Sequence, residues 1–229
     1  MVVFLIVLSL IISYLLGSIS FAVIFSKIFT KKDVRNYGSG NAGMTNVMRV
    51  SGAVPGTLTF LCDVLKGFIA STIGFYIFAY CFKIAPIDLL FPRYGCYYCG
   101  IFCMIGHIFP VFFGFKGGKA VAVSLGVLIA SVWPTGLIAL AVFIICFLCT
   151  RIVSIGSIMA SVSVPVTAFL FSFKDGYQFA LGDSSCGRLQ IFILTLIMAI
   201  IVICMHRDNI KRILNGTEKK LTLRRKNHG

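Results

Sequence analysis

The sequence predicts an all-α protein built as a polytopic bundle of transmembrane helices. Of its 229 residues, 59% are hydrophobic and only 12% are charged, and the mean hydropathy is +0.99. Soluble domains typically carry about 25% charged residues. The apolar residues are also gathered in runs of roughly 20, the length at which a helix crosses a hydrocarbon core of about 30 Å. This composition excludes an ordinary soluble domain.

Five long apolar runs and two shorter ones supply the predicted helices. The long runs are 2–26, 53–80, 96–113, 152–173 and 189–205. We expect the first to remain as a helix, because no basic segment precedes it as in a cleaved signal peptide. The shorter runs, 120–132 and 137–150, are either two short spans or a re-entrant pair. We predict seven helices rather than five, and both choices add an even number of crossings.

The basic residues predict the orientation, because lysine and arginine accumulate on the cytoplasmic side of membrane proteins. With the N-terminus outside and the C-terminus in the cytoplasm, few of the 21 basic residues remain outside: Lys83, Arg93, Lys174 and Arg188. We treat residues 1–229 as one domain and 211–229 as a basic cytoplasmic tail that binds anionic lipid. This orientation places four polar segments on the same face of the membrane.

The first polar segment, 37–49, interrupts the apolar sequence with glycines, hydroxyls, amides and one arginine. If 43–50 begins a helix, Thr45 and Arg49 share a face near its free backbone N–H groups, which favour anions. A solvated loop is the alternative, since turns use the same residue types. The candidate anion-binding residues are Ser39, Gly40, Asn41, Thr45, Asn46 and Arg49.

The second polar segment contains Lys116, Gly117, Gly118 and Lys119 after the run Gly106-His107-Ile108-Phe109-Pro110. Paired glycines let backbone amides approach a ligand, and the flanking lysines supply positive charge. The nucleotide-binding pattern G-x-x-x-x-G-K-[ST] does not occur, so nucleotide hydrolysis is not expected. The alternative is a basic cytoplasmic turn.

Ser154 lies in the third polar segment, Arg151–Ser157, where a helix-capping role is the alternative to a place in the site. The fourth segment runs from His206 to Glu218. On a continuing helix, His206 and Asn209 share one side, which a purely lipid-binding tail does not explain. Within the second helix, Asp63 and Lys66 lie three residues apart and predict an internal ion pair.

The nine cysteines favour apolar packing over metal binding, since no second cysteine pair or histidine cluster completes a metal site. Cys96 and Cys99 have C-x-x-C spacing. With Cys186 they lie near the predicted outer face, where a disulfide is an open alternative.

Taken together, the motifs resemble the bacterial acyl-phosphate:glycerol-3-phosphate acyltransferase family. The resemblance rests on G-S-G-N-A-G-M-T-N-V-M-R, on G-H-I-F-P with F-K-G-G-K, on R-I-V-S-I-G-S and on H-R-D-N-I-K-R-I-L-N-G-T-E-K, in that order. It covers nearly the whole chain. Two departures are Met44 and Ala120, where the family usually has alanine and glycine.

The resemblance implies acyl transfer from acyl phosphate to the 1-hydroxyl of glycerol 3-phosphate, giving lysophosphatidic acid and phosphate. It implies no coenzyme A, metal or other cofactor, and a multi-pass protein of the bacterial plasma membrane with its site facing the cytoplasm. Expected partners are both substrates, membrane lipids and an enzyme that makes acyl phosphate, with no nucleic acid. The implied catalytic residues are Lys119, His206, Asn209 and Ser154. The implied binding residues are Ser39, Gly40, Asn41, Thr45, Asn46, Arg49, Lys116, Gly117 and Gly118.

Two questions stay open at the level of sequence. The general base is either His206 or a phosphate oxygen of the substrate. A transporter of a phosphorylated solute is the rival function, because glycine-lined pockets and broken helices also form transport sites. Transport predicts inverted repeats and polar residues near mid-membrane, whereas the polar segments here cluster on one side.

Overall fold

The computed structural model describes residues 1–172 and 185–221, and every regular element in that part of the chain is helical, as predicted. The longer helices are α1 (Val2–Gly17), α2 (Phe21–Thr30), α3 (Met44–Ser51), α4 (Ala53–Ile84), α5 (Pro92–Ile108), α6 (Val121–Thr150), α7 (Val153–Phe171), α8 (Ser185–Met205) and α9 (Arg207–Leu214). Three single-turn 3-10 helices lie between them, at Val34–Asn36, Asp88–Leu90 and Val111–Phe113.

Six helical segments in the described residues are long and apolar enough to span a membrane, compared with the seven helices predicted. The count differs because the short runs 120–132 and 137–150 are joined in the single 30-residue element α6. A straight helix of that length would place its ends about 45 Å apart.

The two ends of α6 nevertheless meet at one place in the fold. Asn209 contacts both Lys119, just before α6, and Ser154, just after it. The chain turns back at Val132, whose φ of −140° and ψ of 82° are not helical, two residues before Pro134. The site is therefore framed by both ends of α6, while the number of membrane crossings stays a prediction.

A buried charged cluster braces the break between α1 and α2. Lys66 lies 2.8 Å from the Asp63 carboxylate, which confirms the predicted ion pair, and both side chains are buried. The Lys66 ammonium group also donates to the carbonyls of Gly17 and Ile19, and it lies 3.0 Å from His107 Nδ1. Because α1 ends here, these carbonyls are freed from helical hydrogen bonds. Lys66 supplies hydrogen-bond donors that the hydrocarbon of a bilayer lacks.

Close helix packing positions α6 against α4. A Cβ added at Gly67 would lie 2.2 Å from the Val123 carbonyl oxygen, and one added at Gly126 would lie 1.9 Å from that of Val64. Only glycine permits this approach, and small residues are the usual means of bringing helix backbones together in membranes. The two contacts hold the first half of α6, and hence Lys119, in a defined position.

The cysteines of α5 belong to the packed interior. Cys96 and Cys99 are buried and free, so they do not form the disulfide that their spacing left open, while the Cys186 side chain lies outside what the structure describes. Cys103 is equally buried and free. In α5 cysteine acts as a small apolar residue.

Candidate active site

The first polar loop is held in shape by the side chain of Asn46. Its Oδ1 accepts from the backbone N–H of Ser39 at 2.9 Å, and its Nδ2 donates to the carbonyls of Val34, Tyr37 and Asn41 at 3.0 to 3.1 Å. The residue is buried, so its amide is committed to the loop. Asn46 is placed to shape the site, not to present its amide to a ligand.

The glycine pair of the second loop is likewise committed to structure. The amides of Gly117 and Gly118 donate to the carbonyls of Ile108 and His107 at 3.1 Å, so they are not the free anion-binding amides that we predicted. A Cβ on Gly118 would lie 2.2 Å from His107 Nε2 and 2.7 Å from the Ala42 carbonyl oxygen. The pair therefore lets the second loop press against the first and against α5.

A second contact joins the same two loops. Arg35 forms a two-pronged ion pair with Asp33, at 3.0 and 2.8 Å, and donates to the Phe113 carbonyl at 2.5 Å. The Arg35 guanidinium holds the pKa of the Asp33 carboxyl below its usual range. The loops before α3 and before α6 thus form one continuous surface at one end of the bundle.

Three predicted catalytic residues meet in one hydrogen-bonded cluster. The Lys119 ammonium donates to Asn209 Oδ1, and Asn209 Nδ2 lies 2.7 Å from Ser154 Oγ. Both Asn209 Nδ2 and Ser154 Oγ also donate to Glu218 Oε1, at 2.6 and 2.5 Å. The cluster brings together the second, third and fourth polar segments, as predicted. The Ser154 hydroxyl is thus engaged in hydrogen bonds with Asn209 and Glu218.

Glu218 was not among the predicted site residues, yet its carboxylate organises the cluster. Its second oxygen accepts from Arg212 Nε at 2.6 Å, so one carboxylate holds Ser154, Asn209 and Arg212. These hydrogen bonds, with the charge of Arg212, lower the pKa of Glu218 against the opposing effect of its burial. The sequence signal that could have found it is an acidic residue inside a strongly basic segment.

The segment after α9 lies against the bundle. Arg212 belongs to α9, and the Leu221 amide donates to the Arg151 carbonyl at 2.8 Å. Within the predicted tail of residues 211–229, Arg212, Glu218 and Leu221 therefore lie at the site. Residues 222–229 lie outside the described part of the chain.

Burial shifts the pKa of both bases near the cluster. Burial lowers the pKa of Lys119 to about 8, a shift that the Glu218 carboxylate opposes. Burial and the nearby Lys119 charge lower the pKa of His206 to about 4, so its imidazole is neutral near pH 7. His206 Nδ1 lies 2.8 Å from the Val202 carbonyl, which fixes the proton on Nδ1 and leaves Nε2 as an acceptor. His206 itself forms the break between α8 and α9 where we predicted a continuing helix.

An apolar cavity of about 310 Å³ opens beside this cluster. We call its mouth the part lined by Thr45, Val121, Val153 and Leu221, because Val121 comes two residues after Lys119 and Val153 is next to Ser154. Deeper residues come from α6 and α7 and are mainly Leu, Phe, Val and Ala. Its volume lies at the lower end of the usual range for small-molecule sites, and its lining suits hydrocarbon.

The remaining predicted residues lie around the same end of the bundle. Ser39, Gly40, Arg49 and Lys116 are exposed, and Asn41 is half-buried. The helix α3 is separate from α4, because Gly52 interrupts the chain with a φ of 100°. Its first N–H groups, which have no acceptor within the helix, lie where Met44 and Thr45 line the cavity.

Comparison with known proteins identifies the family. A sequence model of glycerol-3-phosphate acyltransferases matches residues 7–216. The chain belongs to this family. It is 40% identical to "Glycerol-3-phosphate acyltransferase 2" of Bacillus anthracis, with 94% of this chain and 98% of that protein covered. It is 42% identical to the glycerol-3-phosphate acyltransferase of a Thermoanaerobacter species, with 94% and 95% covered.

Solved structures of this acyltransferase family have the same fold. The glycerol 3-phosphate form of PlsY (YgiH), an integral membrane glycerol 3-phosphate acyltransferase, has a TM-score of 0.75 and 36% identity, with 95% of this chain and 96% of that chain covered. Its lysophosphatidic acid form has a TM-score of 0.73 and 35% identity, with 95% of each covered. The present chain is thus a multi-pass integral membrane protein of the glycerol-3-phosphate acyltransferase family.

Proposed function

We propose that this protein transfers an acyl group from acyl phosphate to the 1-hydroxyl of glycerol 3-phosphate, releasing lysophosphatidic acid and inorganic phosphate. The observation that carries the proposal is the position of the Lys119 cluster at the mouth of the apolar cavity. A polar, cationic end suits two phosphates, and the adjoining hydrocarbon-lined space suits an acyl chain. The PlsY structures in glycerol 3-phosphate and lysophosphatidic acid forms support the same assignment.

The phosphates would be held by charge at the polar end. Arg49 and Lys116 are exposed there, with Lys119 deeper and beside the cluster. Cationic side chains together with the N-terminus of α3 favour anions. Ser39, Gly40, Asn41 and Thr45 would line the same surface, while Asn46, Gly117 and Gly118 would hold its shape. Bringing two mutually repelling anions together supplies part of the catalysis.

The reaction itself needs few groups from the protein. The 1-hydroxyl oxygen forms a bond to the acyl carbon, and the bond from that carbon to the phosphate oxygen breaks. Lys119 would stabilise the oxyanion that develops on the acyl oxygen. Asn209 and Ser154 would position Lys119, since they anchor it in the cluster.

The proton of the attacking hydroxyl goes to a phosphate oxygen in our proposal. His206, with a pKa of about 4, is a weaker base than a phosphate ester dianion, whose second pKa is about 6. His206 Nε2 instead would accept a hydrogen bond from the substrate. The phosphate leaves with its electron pair, so no covalent acyl-enzyme and no cofactor are required.

We further propose that the site faces the cytoplasm at the plasma membrane of a bacterium. The excess of basic residues at the polar end supports this orientation. Acyl phosphate is labile, so an enzyme that makes it is the expected partner, and product would pass directly into the surrounding lipids.

The test is an assay of the purified protein with palmitoyl phosphate and glycerol 3-phosphate, following lysophosphatidic acid and phosphate. We expect Lys119→Ala to lose about 100-fold to 1000-fold in kcat and Arg49→Ala to lose mainly affinity for glycerol 3-phosphate. Lys83→Ala and Arg207→Ala are the matched controls, since both residues are exposed. Product from palmitoyl coenzyme A but not from palmitoyl phosphate would overturn the donor. Uptake of glycerol 3-phosphate into vesicles without acylation would favour a transporter.

A further inference from the structure

We propose that Leu128, Ala139 and Val164 form a floor that selects the length of the acyl chain. The inference rests on the proposed function, because it takes the apolar cavity as the site of the donor's acyl chain. All three residues line the cavity. Two of them, Leu128 and Val164, also line a second, smaller space that adjoins it.

The floor lies well below the polar mouth. Leu128 comes seven residues after Val121 along the first half of α6, and Val164 comes eleven residues after Val153 along α7. At 1.5 Å per residue these intervals correspond to depths of roughly 10 and 16 Å. Ala139 lies on the returning half of α6, after the turn at Val132. An acyl chain that enters beside Lys119 therefore ends against these three side chains.

The walls between mouth and floor favour hydrocarbon over a polar ligand. Two serines line the cavity, but each hydroxyl donates within its own helix: Ser124 to the Val121 carbonyl and Ser161 to the Ser157 carbonyl, both at 2.8 Å. Their hydrogen-bonding capacity is thereby largely used. The occupant that this lining accepts is a fatty acyl chain, and the contacts of its methylene groups with the lining account for its affinity.

A void of about 10 Å³ adjoins the cavity. Met198, Ala199 and Val202 of α8 line it on one side, and it shares Leu128, Val164, Ser124 and Ser161 with the main cavity. Because the floor residues Leu128 and Val164 line both spaces, shortening either one would join them. The chain would then extend further towards α8. Enlarging Ala139, which lines only the main cavity, would shorten the space instead.

Two substitutions with opposite effects test the floor. The assay compares lauroyl, myristoyl, palmitoyl and stearoyl phosphate as donors for each variant. One buried methylene changes binding by a factor of about four. We expect Ala139→Leu to lower the palmitoyl-to-lauroyl ratio of kcat/KM about tenfold or more. We expect Val164→Ala to raise the stearoyl-to-palmitoyl ratio about fourfold.

Matched controls lie on the same helices but face outward. Ala141→Leu and Val166→Ala make the same chemical changes at exposed positions outside both spaces, and we expect them to keep the wild-type length profile. Melting temperatures in detergent monitor folding. Unchanged ratios in folded Ala139→Leu and Val164→Ala would overturn the floor.

A second readout separates this inference from the proposed donor. Lysophosphatidic acids of the same four lengths bind to the protein without any acyl phosphate, and their affinities follow from thermal shifts. The floor predicts the same change of length preference for these products. If wild-type protein used no acyl phosphate but its product preference moved with the variants, the donor assignment would fail and the floor would stand. Product preferences that did not move would overturn the floor alone.

Discussion

The Lys119 ammonium donates to the Asn209 amide oxygen, across ninety residues of sequence. This contact closes the loop before α6 onto α9. Asn209 in turn binds Ser154 and Glu218, so a single carboxamide links three polar segments. Its two ends are not interchangeable, since the oxygen faces a cation and the nitrogen faces a carboxylate.

Replacing Asn209 should disable the site more than it destabilises the fold. In Asn209→Ala, Lys119 loses its anchor and Glu218 loses one donor, so we expect kcat to fall about 100-fold. The melting temperature in detergent should fall by a few degrees only, because one end of the bundle is affected. Asn215→Ala, at the exposed end of α9, is the control. Near wild-type kcat in Asn209→Ala would remove the cluster from the mechanism.

Activity should fall on the alkaline side as Lys119 loses its proton. Since its pKa is about 8, the charged form predominates below pH 8 and is lost above it, and kcat/KM should follow with a limb near that value. The charged and titratable groups around Lys119 are Glu218, Arg212, Asp208 and His206. Lys119→Arg keeps the charge at all these pH values, so its profile should lack the limb even at a lower rate.

The free energy of unfolding should change with pH in the direction opposite to activity. The pKa of Lys119 is lower in the folded protein than its ordinary value of 10.5, so the unfolded chain binds more protons between about pH 8 and 10.5. The Lys119 contribution to the unfolding free energy therefore rises across that window while activity falls. Comparing wild type with Lys119→Met by melting from pH 7 to 10 isolates this contribution. Parallel curves would contradict the shifted pKa.

Neutralising Glu218 should weaken the cluster and move the alkaline limb. Glu218→Gln keeps the size of the side chain but loses the ion pair with Arg212, and it places an amide nitrogen among donors. We expect a loss of about 1–3 kcal/mol in unfolding free energy. The limb should move to lower pH, because the carboxylate raises the pKa of Lys119. Asp208→Asn, at an exposed position, should move it much less.

Ala120 should be one of the few positions where glycine does not destabilise the protein. Its φ of 61° is left-handed, which costs an alanine about 1–2 kcal/mol. Relief of this cost should offset the greater freedom of glycine in the unfolded chain. We expect Ala120→Gly to leave the melting temperature unchanged or slightly raised, and Ala141→Gly, inside α6, to lose about 1 kcal/mol. Equal losses in both would contradict this interpretation.

The buried pair of Asp63 and Lys66 should show strong coupling. Removing one partner leaves a buried charge and costs about 3–5 kcal/mol, so Asp63→Asn and Lys66→Met should each be severely destabilised. The double variant should lose much less than the sum of the two, because no unpaired charge remains. A melting series in detergent measures the cycle, and additive losses would show that the two residues act independently.

Much of this site could be predicted because its residue types are costly in a membrane. Charged side chains in an apolar helix require partners, so the Asp63–Lys66 pair could be inferred before any coordinates. The resemblance to the acyltransferase family implied that Lys119, Ser154 and Asn209 share one site. The role of each group was harder to predict. Asn46 and the amides of Gly117 and Gly118 were assigned to the ligand, yet their hydrogen bonds go to the loops. A donor's partner depends on which carbonyl lies within about 3 Å, and sequence spacing does not contain that distance.

The amino-acid sequence by itself determined the helical membrane architecture, the family and the set of polar residues concentrated at one end, because hydrophobicity and charge act on each segment locally. Only the tertiary structure decided that α6 turns back at Val132, that Glu218 organises the cluster, and that a hydrocarbon-lined cavity lies beside it. These features depend on contacts between distant segments. Such contacts arise from the packing of the whole bundle and from no single stretch of it.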